Sequence, residues 1–181
     1  MKVDTLEKLY HDQMAGLQRG GEDLLALLPD LVGVVMHFDL RNSIRDFIPR
    51  LREQIGRIEH VIPYNAVTRQ VRVSPGIQGL IDECHSFLER ASDPDVIDAG
   101  LVVFLQKVLH VWMVGHAALG AYAMMLGKED EAKEFRRSLE EQTEAERELA
   151  RLARDVINVE ALSASTRSSA PVGPDAEAKA G

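Results

Sequence analysis

LQKVLHVW, at residues 105–112, is the stretch that decides the fold, and it lies inside a longer apolar run from Asp98 to Gly127. Large apolar residues recur along this run at the spacing of one face of an α-helix. These residues are Leu101, Leu105, Val108, Trp112, Leu119 and Leu126. The pattern predicts one long helix with the length and apolar stripe of the core helix of a bundle.

The same spacing occurs in three further long segments, and a shorter one lies between the second and the third. The predicted elements are helix 1 from Asp4 or Thr5, helix 2 over 40–62, a short helix over 76–91, helix 3 over 98–127 and helix 4 over 129–157. Residues 63–75 are predicted to form a loop, and no strand is expected. Four long helices with a helix in the crossover between helices 2 and 3 predict an all-α, ferritin-like four-helix bundle.

The Gly20-Gly21 pair in helix 1 allows two interpretations. Each glycine costs about 1 kcal/mol relative to alanine inside a helix, so the helix could break there. Alternatively, the pair permits close approach of another element inside a continuous helix. Continuation is favoured, because the apolar pattern resumes at Leu24.

The domain boundary is predicted at residue 158. Residues 1–158 form the bundle, and residues 159–181 have the alanine, serine, glycine and proline composition of a disordered tail.

Composition excludes several classes of function. The 181-residue chain has a formal net charge of −8, which argues against nonspecific nucleic-acid binding and against binding to an anionic membrane. The N-terminus lacks an apolar signal core, and no apolar run reaches the ~20 residues of a membrane helix. Cys84 is the only cysteine, so no intrachain disulfide can form. A cytoplasmic protein is expected.

No catalytic motif is present in the sequence. Glu-x-x-His, which a di-iron bundle uses on two helices, does not occur, and neither does Gly-x-Ser-x-Gly. Cys84 lies on an apolar helix face and is predicted to be a core residue. Gln13 and Gln142 lie on predicted buried stripes, where each is either a satisfied core amide or the remnant of a polar centre.

Five segments together resemble the YciE/YciF-type ferritin-like family of bacterial, stress-associated proteins. The segments are LLALLP at 24–29, RLREQIGRIE at 50–59, GLIDEC at 79–84, QKVLH at 106–110 and residues 139–149. The resemblance extends from about Leu17 to Asp155. It implies a dimeric bundle with a carboxylate-bridged di-metal centre.

The sequence departs from the family at the positions where the resemblance implies metal ligands. The substituted positions are Gly21 (or Gln13, in a different alignment), Arg50, Leu109, Trp112 and Gln142. A pair of divalent metals needs about four anionic ligands, which these residues do not supply. We therefore expect a bundle without a metal centre or other cofactor, in which Trp112 fills the vacated volume.

Three hypotheses of function follow. The first is a structural or interaction protein, expected to be a homodimer and not an enzyme, with no nucleic-acid or membrane partner. The second is an iron or manganese protein with oxidase or peroxide chemistry, using Glu59, Glu83, Glu141 and Glu146 as substitute ligands. The third is a small-molecule binding module, in which Arg50 and Gln142 line a pocket at the vacated site.

Overall fold

The structure is a computed structural model that describes residues 2–62 and 74–168. These residues form helices joined by short turns, and neither range contains a β-strand. The helices are α1 (Leu6–Val34), α2 (Phe38–Val61), α3 (Pro75–Leu88), α4 (Pro94–Met125), α5 (Glu129–Leu152) and α6 (Asn158–Ser168), with a π-helical turn at Ala153–Ile157. Most of the predicted loop, residues 63–73, lies outside the described residues.

The four long helices α1, α2, α4 and α5 form the bundle. Helix α4 packs against α1 and α5, and α2 packs against the same two neighbours. The short helix α3 follows α2 along the chain and lies against α1 and α4. The predicted ferritin-like bundle with a helix in its crossover is therefore confirmed, with α4 as the predicted helix 3.

Helix α1 continues without a break through both glycines, as the apolar pattern indicated. A Cβ atom on Gly20 would lie 2.8 Å from Cγ1 of Ile77, on α3. A Cβ atom on Gly21 would lie 2.7 Å from the side chain of Ile55, on α2. The glycines are thus the positions at which two other helices approach α1 closely.

Side chains and one glycine mark the ends of α1 and α4, and α4 begins at Pro94, four residues before the predicted start. Thr5 caps α1, because its hydroxyl oxygen accepts a hydrogen bond from the amide of Lys8 at 3.2 Å. Asp93 caps α4 by accepting from two backbone amides in the first turn. Gly127 follows the end of α4 with φ +72°, a left-handed conformation that glycine adopts without strain.

The C-terminal boundary differs from the sequence-based prediction. Helical structure continues past residue 158 to Ser168, and Ala164 is buried. The composition of this segment suggested a tail, but alanine and leucine also favour helix when the segment can pack, and α6 packs against α4. Residues 169–181 lie outside the described part of the chain.

Helix α4 has enough length and hydropathy to cross a membrane, contrary to the expectation from its apolar runs. Its most apolar 18-residue window has a mean hydropathy of 1.6, and 44% of that window is buried inside the bundle. A core helix meets the same two criteria, and Trp112 and Leu119 on α4 are completely buried. The position of α4 in the bundle therefore accounts for its composition.

Candidate functional site

Buried polar residues meet at the centre of the bundle, between α2, α4 and α5. The network consists of Gln54, His116, Ser138 and Gln142, with Arg57 and Glu141 at its outer edge. The four inner side chains are each only 1% exposed. Buried polar groups are costly unless they are hydrogen-bonded, so the pairing of these groups determines what the centre can do.

Two glutamine side chains connect the helices at this centre. The amide nitrogen of Gln142, on α5, donates to the amide oxygen of Gln54, on α2, at 2.9 Å. Gln54 in turn donates to a carboxylate oxygen of Glu141 at 3.1 Å. The amide of Gln142 also lies 3.3 Å from Nδ1 of His116, on α4. The Gln142 amide therefore links α5 to α2 by a hydrogen bond and lies against the imidazole of α4.

His116 is held in its neutral form. Burial lowers the pKa of this imidazole to about 4, although a hydrogen bond to the carbonyl of Trp112 acts in the opposite direction. Nδ1 lies 3.0 Å from that carbonyl oxygen, which favours the tautomer with the proton on Nδ1. Nε2 of His116 and Oε1 of Gln142 are buried and have no hydrogen-bond partner among the described residues.

The charged members of the network, Arg57 and Glu141, lie at its outer edge. The guanidinium of Arg57 donates to the hydroxyl of Ser138 at 2.8 Å and to both carboxylate oxygens of Glu141 at 2.9 Å. Burial raises the pKa of the Glu141 carboxyl, but the hydrogen bonds from Arg57 and Gln54 outweigh it, and the net pKa is below the usual value. Glu141 is thus an ionised partner of Arg57 and not a free ligand.

Two of the positions that the family resemblance assigned to metal ligands lie in contact. A Cβ atom on Gly21, on α1, would lie 3.0 Å from Cζ2 of Trp112, on α4. The indole of Trp112 is completely buried and, with the side chain of Ile55, fills the space beside Gly21. This arrangement favours Gly21 over Gln13 as the equivalent position in helix 1.

The other substituted positions divide between core and surface. Leu109 is buried, and so is Gln142, as its stripe predicted. Gln13 is exposed, so the prediction that it lies in the core is wrong; its neighbours Met14 and Leu17 face the interior instead. Arg50 is also exposed and does not enter the core.

The four proposed substitute ligands do not converge. Each carboxylate is engaged by a different partner: Glu59 by Gln18, Glu83 by Lys107, Glu141 by Arg57, and Glu146 by Gln106. Within residues 2–62 and 74–168, no group of three or more histidine, cysteine, aspartate or glutamate side chains could hold a metal ion. The geometry gives the substitute-ligand hypothesis no support.

Arg50 and Gln142 do not line a common pocket. Arg50 borders a cavity of about 70 Å³ between α2, α4 and α5, and Gln142 is not part of its wall. The wall is mostly apolar and includes Leu109, with Glu148 at the same cavity as Arg50. A carboxylate beside the arginine weakens the case for an anion site, so the small-molecule hypothesis does not hold in the form proposed.

Gln54 and His116 were not predicted as members of the site, although periodicity could have identified both. Gln54 lies three residues after Leu51 and four before Ile58, on the buried stripe of α2. His116 lies four residues after Trp112 and three before Leu119, on the buried stripe of α4. Polar residues at stripe positions on three helices indicate a shared polar layer.

A family model described as a domain of unknown function (DUF892) matches residues 5–162. The chain belongs to this family. The protein YciF of Escherichia coli strain K12 is 25% identical to this chain over 162 residues, which cover 89% of this chain and 98% of YciF. The resemblance seen in the sequence is therefore confirmed.

Solved structures share the fold of this DUF892 protein. The crystal structure of the E. coli stress protein YciF matches with a TM-score of 0.80 and 24% identity, over 86% of this chain and 99% of the other. YcfI from Rhodopseudomonas palustris, named as a candidate structural protein, matches with a TM-score of 0.74 and 23% identity, over 82% and 95%. At identities this low, the structural matches establish a shared fold but not a shared function.

Proposed function

We propose that this DUF892 protein is a structural or interaction protein, in which a ferritin-like bundle is retained without a di-metal centre. The observation that carries the proposal is the uncharged Gln54–Gln142–His116 network at the middle of the bundle. Divalent metal pairs in such bundles are held by inward carboxylates, which neutralise the charge of the ions. Here amides and a neutral imidazole occupy the centre of the bundle.

The energetics of the core support this proposal. A carboxylate buried without a metal carries a large desolvation cost, whereas a paired amide does not. Gln142 donates to Gln54 and Gln54 donates to Glu141, while Trp112 and Ile55 fill the space beside Gly21. The folded state therefore does not depend on a metal for the stability of its centre.

We assign the protein to the cytoplasm on its composition and to a stress-related role on its relatives.

Metal content tests the proposal directly. The full chain would be expressed without an affinity tag in medium supplemented with iron and manganese, and the purified protein measured by inductively coupled plasma mass spectrometry. We expect far less than one metal per chain, and an unfolding temperature that does not change when iron or manganese is added. One or two metals per chain, removed by a chelator with loss of stability, would overturn the proposal.

A further inference from the structure

A small recess opens on the side of the bundle where α2, α4 and α5 meet. Its volume is about 70 Å³, and its walls are mostly apolar side chains that are at least nine-tenths buried. These side chains are Ile44, Phe47, Leu105, Leu109 and Leu149. Core packing holds them in place, so the recess is preformed. A cavity of about 150 Å³ binds benzene, and this recess therefore fits a smaller apolar group of roughly three or four carbons.

Three charged side chains lie at the rim of this recess: Asp46 and Arg50 on α2, and Glu148 on α5. All three are exposed. Asp46 and Arg50 are four residues apart, a spacing at which oppositely charged side chains on a helix commonly pair. Within residues 2–62 and 74–168, however, none of the three side chains forms an ion pair or a hydrogen bond. Their charges are therefore available to a ligand.

The presence of both kinds of charge at one rim favours a zwitterion. A guanidinium such as that of Arg50 binds a carboxylate through two parallel hydrogen bonds, and the carboxylates of Asp46 and Glu148 accept from an ammonium group. The hydroxyl of Ser43 also lines the recess; it donates to the carbonyl of Asp39 at 3.0 Å and keeps its oxygen as a further acceptor. An α-amino acid carries a carboxylate, an ammonium group and a side chain on one carbon atom, so it can present all three to this site.

Molecules with only one charge fit this site less well. A simple carboxylic acid would pair with Arg50 but would also face the carboxylates of Asp46 and Glu148. A simple alkylamine would pair with those carboxylates but would also face the guanidinium. The volume of the recess sets a limit on the apolar part, because the ring of a phenylalanine is about the size of benzene and exceeds it.

From these observations we propose that the recess binds a free α-amino acid with a small branched apolar side chain, of the size of valine or leucine. Arg50 binds its carboxylate, Asp46 and Glu148 bind its ammonium group, and its side chain packs against Leu105 and Leu109. None of the residues that line the recess belongs to the Gln54–Gln142–His116 network. The proposal therefore goes beyond the interaction role, and its test can fail without affecting the test of metal content.

NMR titration of the ligand methyl signals with the full chain tests this site. L-leucine and L-valine should bind with dissociation constants below about 1 mM, a modest affinity for ligands of this size. L-phenylalanine should bind about 10-fold more weakly or not at all. The same loss is expected for isoamylamine, which is leucine without its carboxylate, and for isocaproate, which is leucine without its amine. Absence of binding by both amino acids, or equal binding of leucine and its two singly charged analogues, would overturn the proposal.

Two surface variants assign the ends of the ligand without disturbing the core. R50Q should weaken the binding of L-leucine about 10-fold or more but should not weaken that of isoamylamine, which has no carboxylate for Arg50 to bind.

E148Q should weaken the binding of L-leucine but not that of isocaproate, which has no ammonium group. R52Q on α2 and E140Q on α5 are the matched controls, because Arg52 and Glu140 are exposed and do not line the recess. Both controls should bind L-leucine as the wild type does. If R50Q and E148Q bind it no more weakly than R52Q and E140Q, the rim charges do not hold the ligand and the proposal is wrong.

Discussion

At Gly21, the side chains of Ile55 on α2 and Trp112 on α4 pack directly against the backbone of α1. We expect G21A to destabilise the protein by about 1–3 kcal/mol, although alanine is the better helix former, because overpacking in a filled core outweighs propensity. The added methyl group would lie 2.7 Å from Ile55 and 3.0 Å from Trp112. Urea unfolding followed by circular dichroism would measure the change.

Gly79 provides the control for this substitution. It lies within α3, is exposed, and a Cβ atom there meets nothing within 4 Å. G79A should therefore stabilise the protein by about 0.5–1 kcal/mol through helix propensity alone. If both alanine variants shift stability in the same direction, the close approach at Gly21 is not what determines its identity.

His116 makes the stability of the protein depend on pH. Its pKa is about 4 in the folded state and about 6.5 in the unfolded chain, because burial disfavours the charged form. Above pH 6.5 both states hold the neutral imidazole, and between pH 6.5 and 4 only the unfolded state binds the proton. Stability should therefore fall by up to about 1.4 kcal/mol per pH unit across this window as the pH is lowered.

Substitution of the histidine isolates this effect. H116F and H116Q both remove the titrating group. Between pH 6.5 and 4, the free energy of unfolding of each variant should decrease by about 3 kcal/mol less than that of the wild type. Protonation of Glu141 and other carboxylates at the lower end of this range should contribute equally to all three proteins. Parallel pH curves for wild type and variants would show that His116 is not kept neutral by the fold.

Asp98, on α4, connects this helix to the turn between α1 and α2 by hydrogen bonds. This buried carboxylate accepts hydrogen bonds from the backbone amides of Met36 at 3.1 Å and of His37 at 2.7 Å. D98A leaves both donors unpaired, so we expect a loss of about 2–3 kcal/mol. D98N retains one acceptor oxygen and should lose about half as much. Thermal unfolding of the two variants would rank them, and equal losses would show that the hydrogen bonds are not the cause.

Local signals were sufficient to predict most elements. Helix spacing, the caps at Thr5 and Asp93 and the glycine at residue 127 all act within one or two turns, so the sequence displays them directly. The end of the chain was harder to predict, because α6 is stabilised by its packing against α4. That packing is a tertiary contact, and composition alone suggested a tail.

For the molecule as a whole, the site was harder to predict than the fold. Gln142 was identified because an amide stands out on an apolar stripe. Its partners Gln54 and His116 come from two other helices, and only their assembly shows that the three side chains meet. Gln13 and Arg50 were predicted to lie at the site but are exposed. A helical stripe fixes the direction of a side chain only to within a fraction of a turn, which explains this error.

Two amide-to-carboxylate substitutions test whether the centre of the bundle can hold a metal ion. In Q54E/Q142E, two new carboxylates would lie beside His116 and Glu141, because the present side chains are linked at 2.9, 3.1 and 3.3 Å. Without metal, buried like charges should destabilise this variant by several kcal/mol. Divalent manganese or zinc should restore stability, by about 2.7 kcal/mol at 100 times the dissociation constant.

Q54L/Q142L, which removes the same hydrogen bonds without adding charge, should show no dependence on metal. The two double variants differ only in the charge at the centre. If metal does not change the unfolding temperature of Q54E/Q142E, the three helices do not converge on one coordination site.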